Sequence, residues 1–474
     1  MTATRILTLP TLAILLATAP HALVHAQSQT AADSDVFTGI WRRPNLLGDI
    51  GGLRSMLGRA GVTMTLTDQN EVFGNTTGGL KQGATCDGLT TLTLQLDTQK
   101  AFGWEGGTFN ISGLQIRGRN FSQYYLGNLQ TASGIAASPT TRLWEIWVQQ
   151  ALLDGKFDVK LGQQSLDQEF MTSTGSAVFL NTMMGWPMLP SADLYAGGPA
   201  YPLSSLGVRF RGQPTGNLTL LAGVFQDNPP GGPFNDDSQL RGSTRWGGNF
   251  NLRTGALFIA EAQYALNQPA AGEMDDGTSP KGLPGTYKLG AWFDTASFPS
   301  QSIDSTGLSL ADPASSGNPK MLRRNASLYA VADQMIWRPT EDSPRAVSVF
   351  ARLMGAPGDR NLIDFSVNAG ITLKAPLPGR DDDTLGLGYG YARLSSSTRA
   401  TDQAVALANG GTTPVRSGEH FIELTYQAQV TPWLQLQPDF QYVFAPAGGV
   451  VDPNNPTRRL RDEAIFGLRS TVTF

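Results

Sequence analysis

Segments in which apolar and polar side chains alternate recur from near residue 62 to the C-terminus, and they decide what this chain can become. In "PWLQLQPDFQY" (432–442), Leu434, Leu436, Pro438, Phe440 and Tyr442 fall on one side, and Gln435, Gln437, Asp439 and Gln441 on the other. A period of two is a β-strand with two chemically opposite faces. A soluble sandwich would bury the apolar face in a core. An outer-membrane barrel would turn that face to lipid and line a wet lumen with the other. One strand fits both, so the rest of the chain has to choose.

The first residues read as an address. Arg5, the apolar core "ILTLPTLAILLATAP" and the small-residue site "VHA" before Gln27 make residues 1–26 a secretory signal peptide. Beyond it no run reaches eighteen apolar residues, which excludes transmembrane helices. The formal charge of −4 becomes −5 once Arg5 leaves, and no Lys/Arg-rich stripe appears, so no nucleic-acid partner is expected. Cys86 is the only cysteine and cannot form an internal disulfide. His420 is the only histidine outside the signal, which excludes a His-rich metal site. No cofactor is expected.

The organisation predicted is a signal (1–26), a polar leader with a short helix (27–60) and a barrel (61–474). The helix, over roughly 50–60, follows from Leu53, Met56 and Leu57 at i, i+3, i+4, with Gly61 as a stop. After it come about sixteen alternating segments, the sharpest being "TRLWEIWVQQALL", "FDVKLGQQ", "LGVRFRG", "TYKLGAWFD", "FIELTYQAQV", "WLQLQPDFQY" and "AIFGLRSTVTF". Ten residues of strand reach roughly 33 Å, or about 23 Å of height when tilted, which matches an outer-membrane apolar band. "DGK" (154–156) is a tight hairpin, whereas 165–205, 267–285, 299–322 and 395–417 read as long irregular connections. Short and long connections in alternation describe two rims.

The same parity runs through other segments. In 142–152, Trp144, Ile146, Val148 and Leu152 oppose Glu145, Trp147 and Gln149. In 286–294, Tyr287, Leu289, Ala291 and Phe293 oppose Lys288, Trp292 and Asp294. Aromatics (Trp144, Tyr287, Phe293, Tyr442, Phe474) sit near the ends of the apolar faces, where interfacial girdles belong. The chain stops on Phe474 after an alternating strand, which resembles the signal that barrel-assembly machinery reads. The expected fold class is therefore all-β: a transmembrane antiparallel β-barrel of about 16 strands with a short N-terminal helix, in the bacterial outer membrane.

Several long blocks also resemble the carbohydrate-selective porin (OprB) family over nearly the whole mature length. They are "NLLGDIGGLRSMLGRAGVTMTLTDQNEVFGNTTGG" (45–79), "LWEIWVQQ" (143–150), "VKLGQQSLDQEF" (159–170), "PAYPLSSLGVRFRGQP" (199–214) and "TPWLQLQPDFQYVFAPAGG" (431–449). The resemblance implies a sixteen-stranded barrel that passes sugars and polyols by diffusion. Gln163 departs from it, standing where a basic residue is expected.

A neutral sugar offers no charge to steer, so a pore selects it with hydrogen-bonding side chains and flat aromatic faces, weakly enough to let it leave. Parity supplies the inward candidates Glu145, Gln149, Lys160, Lys288 and Asp294, with Arg209 and Arg211. Glu423, Gln437, Asp439 and Gln441 join them, and Trp147 and Trp292 are the tryptophans on the polar side. Most such residues merely keep a wall wet or pair with neighbours. Arg117 and Arg119, two apart in "LQIRGRNF", are expected to form a lumenal basic patch opposite Glu145 and Asp294.

An enzyme is not expected. There is no G-x-S-x-G elbow, and "GLGYG" (386–390) lies in a strand pattern with no helix following, so its glycines more plausibly make room or relieve bending than hold a phosphate. The alternatives are a general diffusion porin and a soluble periplasmic sugar-binding protein. The partners expected are carbohydrate solutes, outer-membrane lipid and the assembly machinery, with the chain as a monomer or a homotrimer.

Overall fold

The computed structural model describes residues 39–234, 239, 245–248, 251–268 and 282–474; the signal 1–26 and the leader through residue 38 lie outside the described residues. In chain order the strands are β1 (Val62–Thr77), β2 (Gly83–Asp97), β3 (Gly107–Gly118), β4 (Thr140–Leu152), β5 (Phe157–Gln164) and β6 (Ser205–Thr215). They continue with β7 (Leu218–Gln226), β8 (Ala256–Leu266), β9 (Gly285–Asp304), β10 (Pro319–Trp337), β11 (Ala346–Gly355) and β12 (Ile363–Lys374). The last are β13 (Thr384–Leu394), β14 (Gly418–Thr431), β15 (Leu434–Phe444), β16 (Val451–Asp452), β17 (Asn455–Arg459) and β18 (Glu463–Thr473). β16 and β17 form a small ribbon. The other sixteen close an antiparallel barrel whose seam joins β1 to β18. Closure leaves no edge strand, so the ladder amides find partners on both sides without water.

The seam is clipped from below. The amide of Phe474 donates to the Leu66 carbonyl at 2.9 Å. A short helix, α1 (Leu53–Arg59), carries Arg54, whose guanidinium donates to the carbonyls of Met64 (2.6 Å) and Phe474. α1 and the last strand thus meet at one rim.

The strand that posed the question is now placed. Gln437, Asp439 and Gln441 are enclosed, while Phe440 and Tyr442 sit on the outer side with Phe466, which is 53% exposed. Leu289 (67%) and Leu328 (69%) stand out from the wall in the same way. Large apolar side chains cover the outside, and the buried ones pack where connections fold into the lumen.

Three expectations needed correcting. Trp144 is not part of an outer girdle: β3 and β4 slip register opposite Ser112/Gly113, which flips parity at that point. Trp144 (5% exposed) therefore turns inward against Tyr201, while Ile146 faces out. The 299–322 segment is not an irregular connection, because β9 runs on to Asp304 and pairs with β10 from Pro319, with Pro299 opposite Met321. The 395–417 connection holds a helix over Ser396–Ala408, started by Ser395, whose hydroxyl accepts from the Thr398 amide. Of 267–285, residues 269–281 lie outside the described residues.

Candidate functional site

Two connections, 119–139 and 165–204, enter the barrel from the same rim. They are joined to each other: Gly134 N–H donates to the Leu180 carbonyl at 2.7 Å, and Thr182 N–H to the Thr131 carbonyl at 2.9 Å. An infolded connection must satisfy its backbone inside the protein, and here the wall does that. Glu419 accepts from the amides of Leu129 (2.8 Å) and Gln130 (2.7 Å). Glu423 accepts from Leu180 (2.5 Å), Glu261 from Met171 (2.8 Å), Asp333 from Gly175 (2.8 Å) and Glu145 from Ser165 (2.9 Å). Arg352 supplies the opposite sign, donating to the carbonyls of Met171, Gly185, Met183 and Met184. Gln437 and Gln441 donate to Val178 and Ala132 carbonyls, and Lys288 to that of Thr172.

Glycines in the wall make the space. A Cβ at Gly388 would lie 2.8 Å from both Met184 and Phe179, so a side chain there would push the infolded segment away. The "GLGYG" strand has this role and not that of a phosphate loop.

Where the 165–204 connection leaves the wall, β4–β6 carry a chain of charges that includes its Glu169. Lys160 pairs with Glu169, and the Lys160 ammonium lies 4.4 Å from the centre of the Trp147 ring. Arg209 bridges Glu169 (2.6 Å) and Asp158, and Arg211 reaches the same Asp158 at 3.3 Å. Gln149 accepts from Arg209 at 3.3 Å. Burial alone would raise Glu169, but Lys160 and Arg209 outweigh it and hold its carboxyl below the ordinary carboxylate value. Among the described residues, the indole N–H groups of Trp147 and Trp292 have no hydrogen-bond partner.

The residues singled out from parity therefore separate. Trp147, Gln149 and Lys160 come together on one wall with Arg209 and Arg211. Glu145, Lys288, Glu423, Gln437 and Gln441 hold the infolded segments, and Asp439 accepts from Gln441 at 2.9 Å. Trp292 is buried, and Asp294 accepts from the Ala296 amide at 2.8 Å.

Arg117 and Arg119 do not form a lumenal patch. Arg117 pairs laterally with Gly88, which pairs with Asn70, and these positions face outward with Asp68. Its guanidinium crosses β2 to reach Asp68 at 2.7 Å. Arg119 lies just past β3, with its guanidinium 5.9 Å from the Tyr124 ring. Parity chose the wrong face for Arg117, because the apolar side of this strand (Leu114, Ile116) packs inward beneath Ile135 and Trp144, and the strand ends before Arg119. His420 sits on the outer side, stacked on Tyr391 and bonded to the Tyr389 hydroxyl at 2.6 Å.

Sequence reasoning passed over Glu169, which lies in a connection without periodicity. It also passed over Glu261, Asp333 and Arg352, although each is a lone charge among apolar neighbours on a strand, and that signal places a residue inside.

The model of the carbohydrate-selective porin, OprB family, matches residues 81–474. The chain belongs to this family. Porin B of Pseudomonas aeruginosa is 26% identical over 433 residues, 86% of this chain and 88% of that one. The putative porin QuiX of Acinetobacter baylyi is 24% identical over 454 residues, covering 90% and 93%. A high-pH structure of Pseudomonas putida OprB aligns with a TM-score of 0.78 at 24% identity, over 91% of this chain and 99% of that one. This OprB-family protein is thus an outer-membrane sugar porin, a channel rather than an enzyme by fold and family. The sixteen-strand barrel and the outer-membrane location expected from the sequence are borne out.

Proposed function

We propose that neutral sugars and polyols of monosaccharide size diffuse through the lumen along the β4–β6 wall. The observation that carries this is the Lys160–Glu169–Arg209–Asp158 chain beside the face of Trp147. Charges largely paired offer donors and acceptors to hydroxyls while leaving a charged solute little but Arg211, which shares Asp158 with Arg209. Contacts of this kind are weak, as passage requires. The buried Trp147 ring, with the Lys160 ammonium over it, fixes where this chain of charges meets the lumen. Nothing in this arrangement needs bond-making chemistry, and the same proposal holds that the chain acts without catalysis. It also holds that the signal is removed after Ala26, and that the strand ending in Phe474 is what the barrel-assembly machinery engages.

Solute flux into proteoliposomes tests the reading, with glucose, a disaccharide and a charged solute of glucose size. The expected order is glucose well ahead of both others, with Trp147→Ala and Glu169→Gln each reducing the preference for glucose over the charged solute several-fold. Equal uptake of all three would make the protein a general diffusion porin. Unchanged preference in both variants would remove this wall from the path.

A further inference from the structure

The outer wall is not uniformly convex. Across β6–β11 it is hollowed into an apolar groove of about 810 Å³, floored by Ala260 and Ala291 and walled by Phe210, Phe258, Phe293 and Leu328. A second hollow of about 450 Å³ takes up the next outward positions, Ala262, Leu289 and Ala330. Alanines between bulky neighbours thus make one track running down the lipid-facing side.

The upper end of this track is basic. Ala326 pairs with Phe293 at the mouth, and three residues further up the strand Arg323 pairs with Ser297, on the same side as Phe293 by alternation. The register slips between these pairs, where Arg324 adopts a left-handed φ of 69°. Arg360 holds the bend, donating to the carbonyls of Arg323 (2.8 Å) and Arg324 (2.6 Å) while its own charge is met by Asp359. Both bend arginines are exposed, and among the described residues neither is within ion-pair distance of a carboxylate. Two arginines elsewhere on the wall are paired by contrast, Arg117 with Asp68 and Arg393 with Asp364, each at 2.7 Å. A non-glycine left-handed residue and a dedicated backbone clamp here deliver two unpaired cations to the head of an apolar track.

We propose that this track is a binding site for a phosphorylated, multiply acylated lipid of the outer leaflet, its chains in the groove and its phosphate on Arg323 and Arg324. An apolar groove alone would take any acyl chain; free guanidinium groups at its head select an anionic headgroup. The site lies outside the lumen and does not rest on the sugar reading, only on the barrel and its membrane.

Native mass spectrometry of the whole protein in mild detergent tests it, with a bisphosphorylated hexa-acylated glycolipid against a zwitterionic phosphatidylcholine. The wild type is expected to retain the glycolipid at least tenfold better. Arg323→Gln/Arg324→Gln, which changes only exposed side chains, should abolish that preference and leave phosphatidylcholine retention unchanged. Ala260→Phe/Ala291→Phe, which fills the groove, should reduce retention of both lipids, with heat-modifiable migration as the check on its assembly. A preference surviving the double Gln variant would overturn the proposal. So would equal retention of both lipids by the wild type, meaning boundary lipid only, or full displacement of the glycolipid by millimolar inorganic phosphate, meaning a free-anion site.

Discussion

The Asp68–Arg117 pair is a charge placed where lipid is expected, and its surroundings show how it is accommodated. Thr90 and Asn70 join it, and Gly88 lets the guanidinium lie across β2, since a Cβ there would come within 2.8 Å of it. Removing one partner strands the other, so Arg117→Leu should cost about 1–3 kcal/mol. Asp68→Leu in the same chain should recover most of that. Denaturant unfolding in micelles measures both, and a double variant less stable than the single would refute the pairing argument. Asp193 is a second residue whose environment works against its charge. It is fully buried; among the described residues one carboxylate oxygen has no partner, and the other accepts from the Ile363 amide at 3.3 Å. Burial holds its carboxyl well above the ordinary value, so the folded protein keeps a proton that the unfolded chain releases near pH 4. Stability from this group is therefore lost as pH rises from about 4 through the folded value. Asp193→Asn should raise the thermal midpoint at pH 7.5 and bring no gain at pH 3.5.

Among elements, the infolded 165–204 segment depends most on single wall residues. Arg352 is wholly buried and meets four of its carbonyls. Arg352→Met leaves those oxygens unpaired at a cost of roughly 3–5 kcal/mol, borne by the segment rather than by the barrel. Single-channel conductance should rise and protease should cut within 165–204, while migration stays heat-modifiable; unchanged conductance would mean that the segment is held elsewhere. The strands themselves were legible because alternation is a local property, and "WLQLQPDFQY" declares its faces without any neighbour. Trp144 was misplaced because a bulge is set by the partner strand, which a single segment does not contain. The role of Glu145 and Glu423 was equally hidden. Both are inward by parity, but what they grip is a backbone amide far along the chain, and an amide carries no signature in sequence.

At the scale of the whole molecule, closure depends on the last residues. Thr473 pairs with Thr67, Val472 with Asp68, and Phe474 bonds to Leu66. Deleting 472–474 would open this end of the seam and leave wall amides without partners in lipid. The heat-modifiable fraction should fall sharply, whereas Phe474→Ala, which keeps the backbone bonds, should slow assembly and leave the finished barrel nearly as stable. Equal yields from both would separate the seam from assembly altogether. Barrel and membrane face could be read in advance because they repeat along the chain; the contacts that line the lumen could not, because they join distant segments. The grip on the infolded segments has one more consequence. Glu419, Glu423, Glu261 and Asp333 hold main-chain amides, and Arg352 holds main-chain carbonyls, groups that nearly every amino acid possesses. Apart from Glu169, whose side chain is itself gripped, substitutions along 119–139 and 165–204 can therefore accumulate without unfastening them, and the opening can be reshaped while the barrel around it is inherited unchanged.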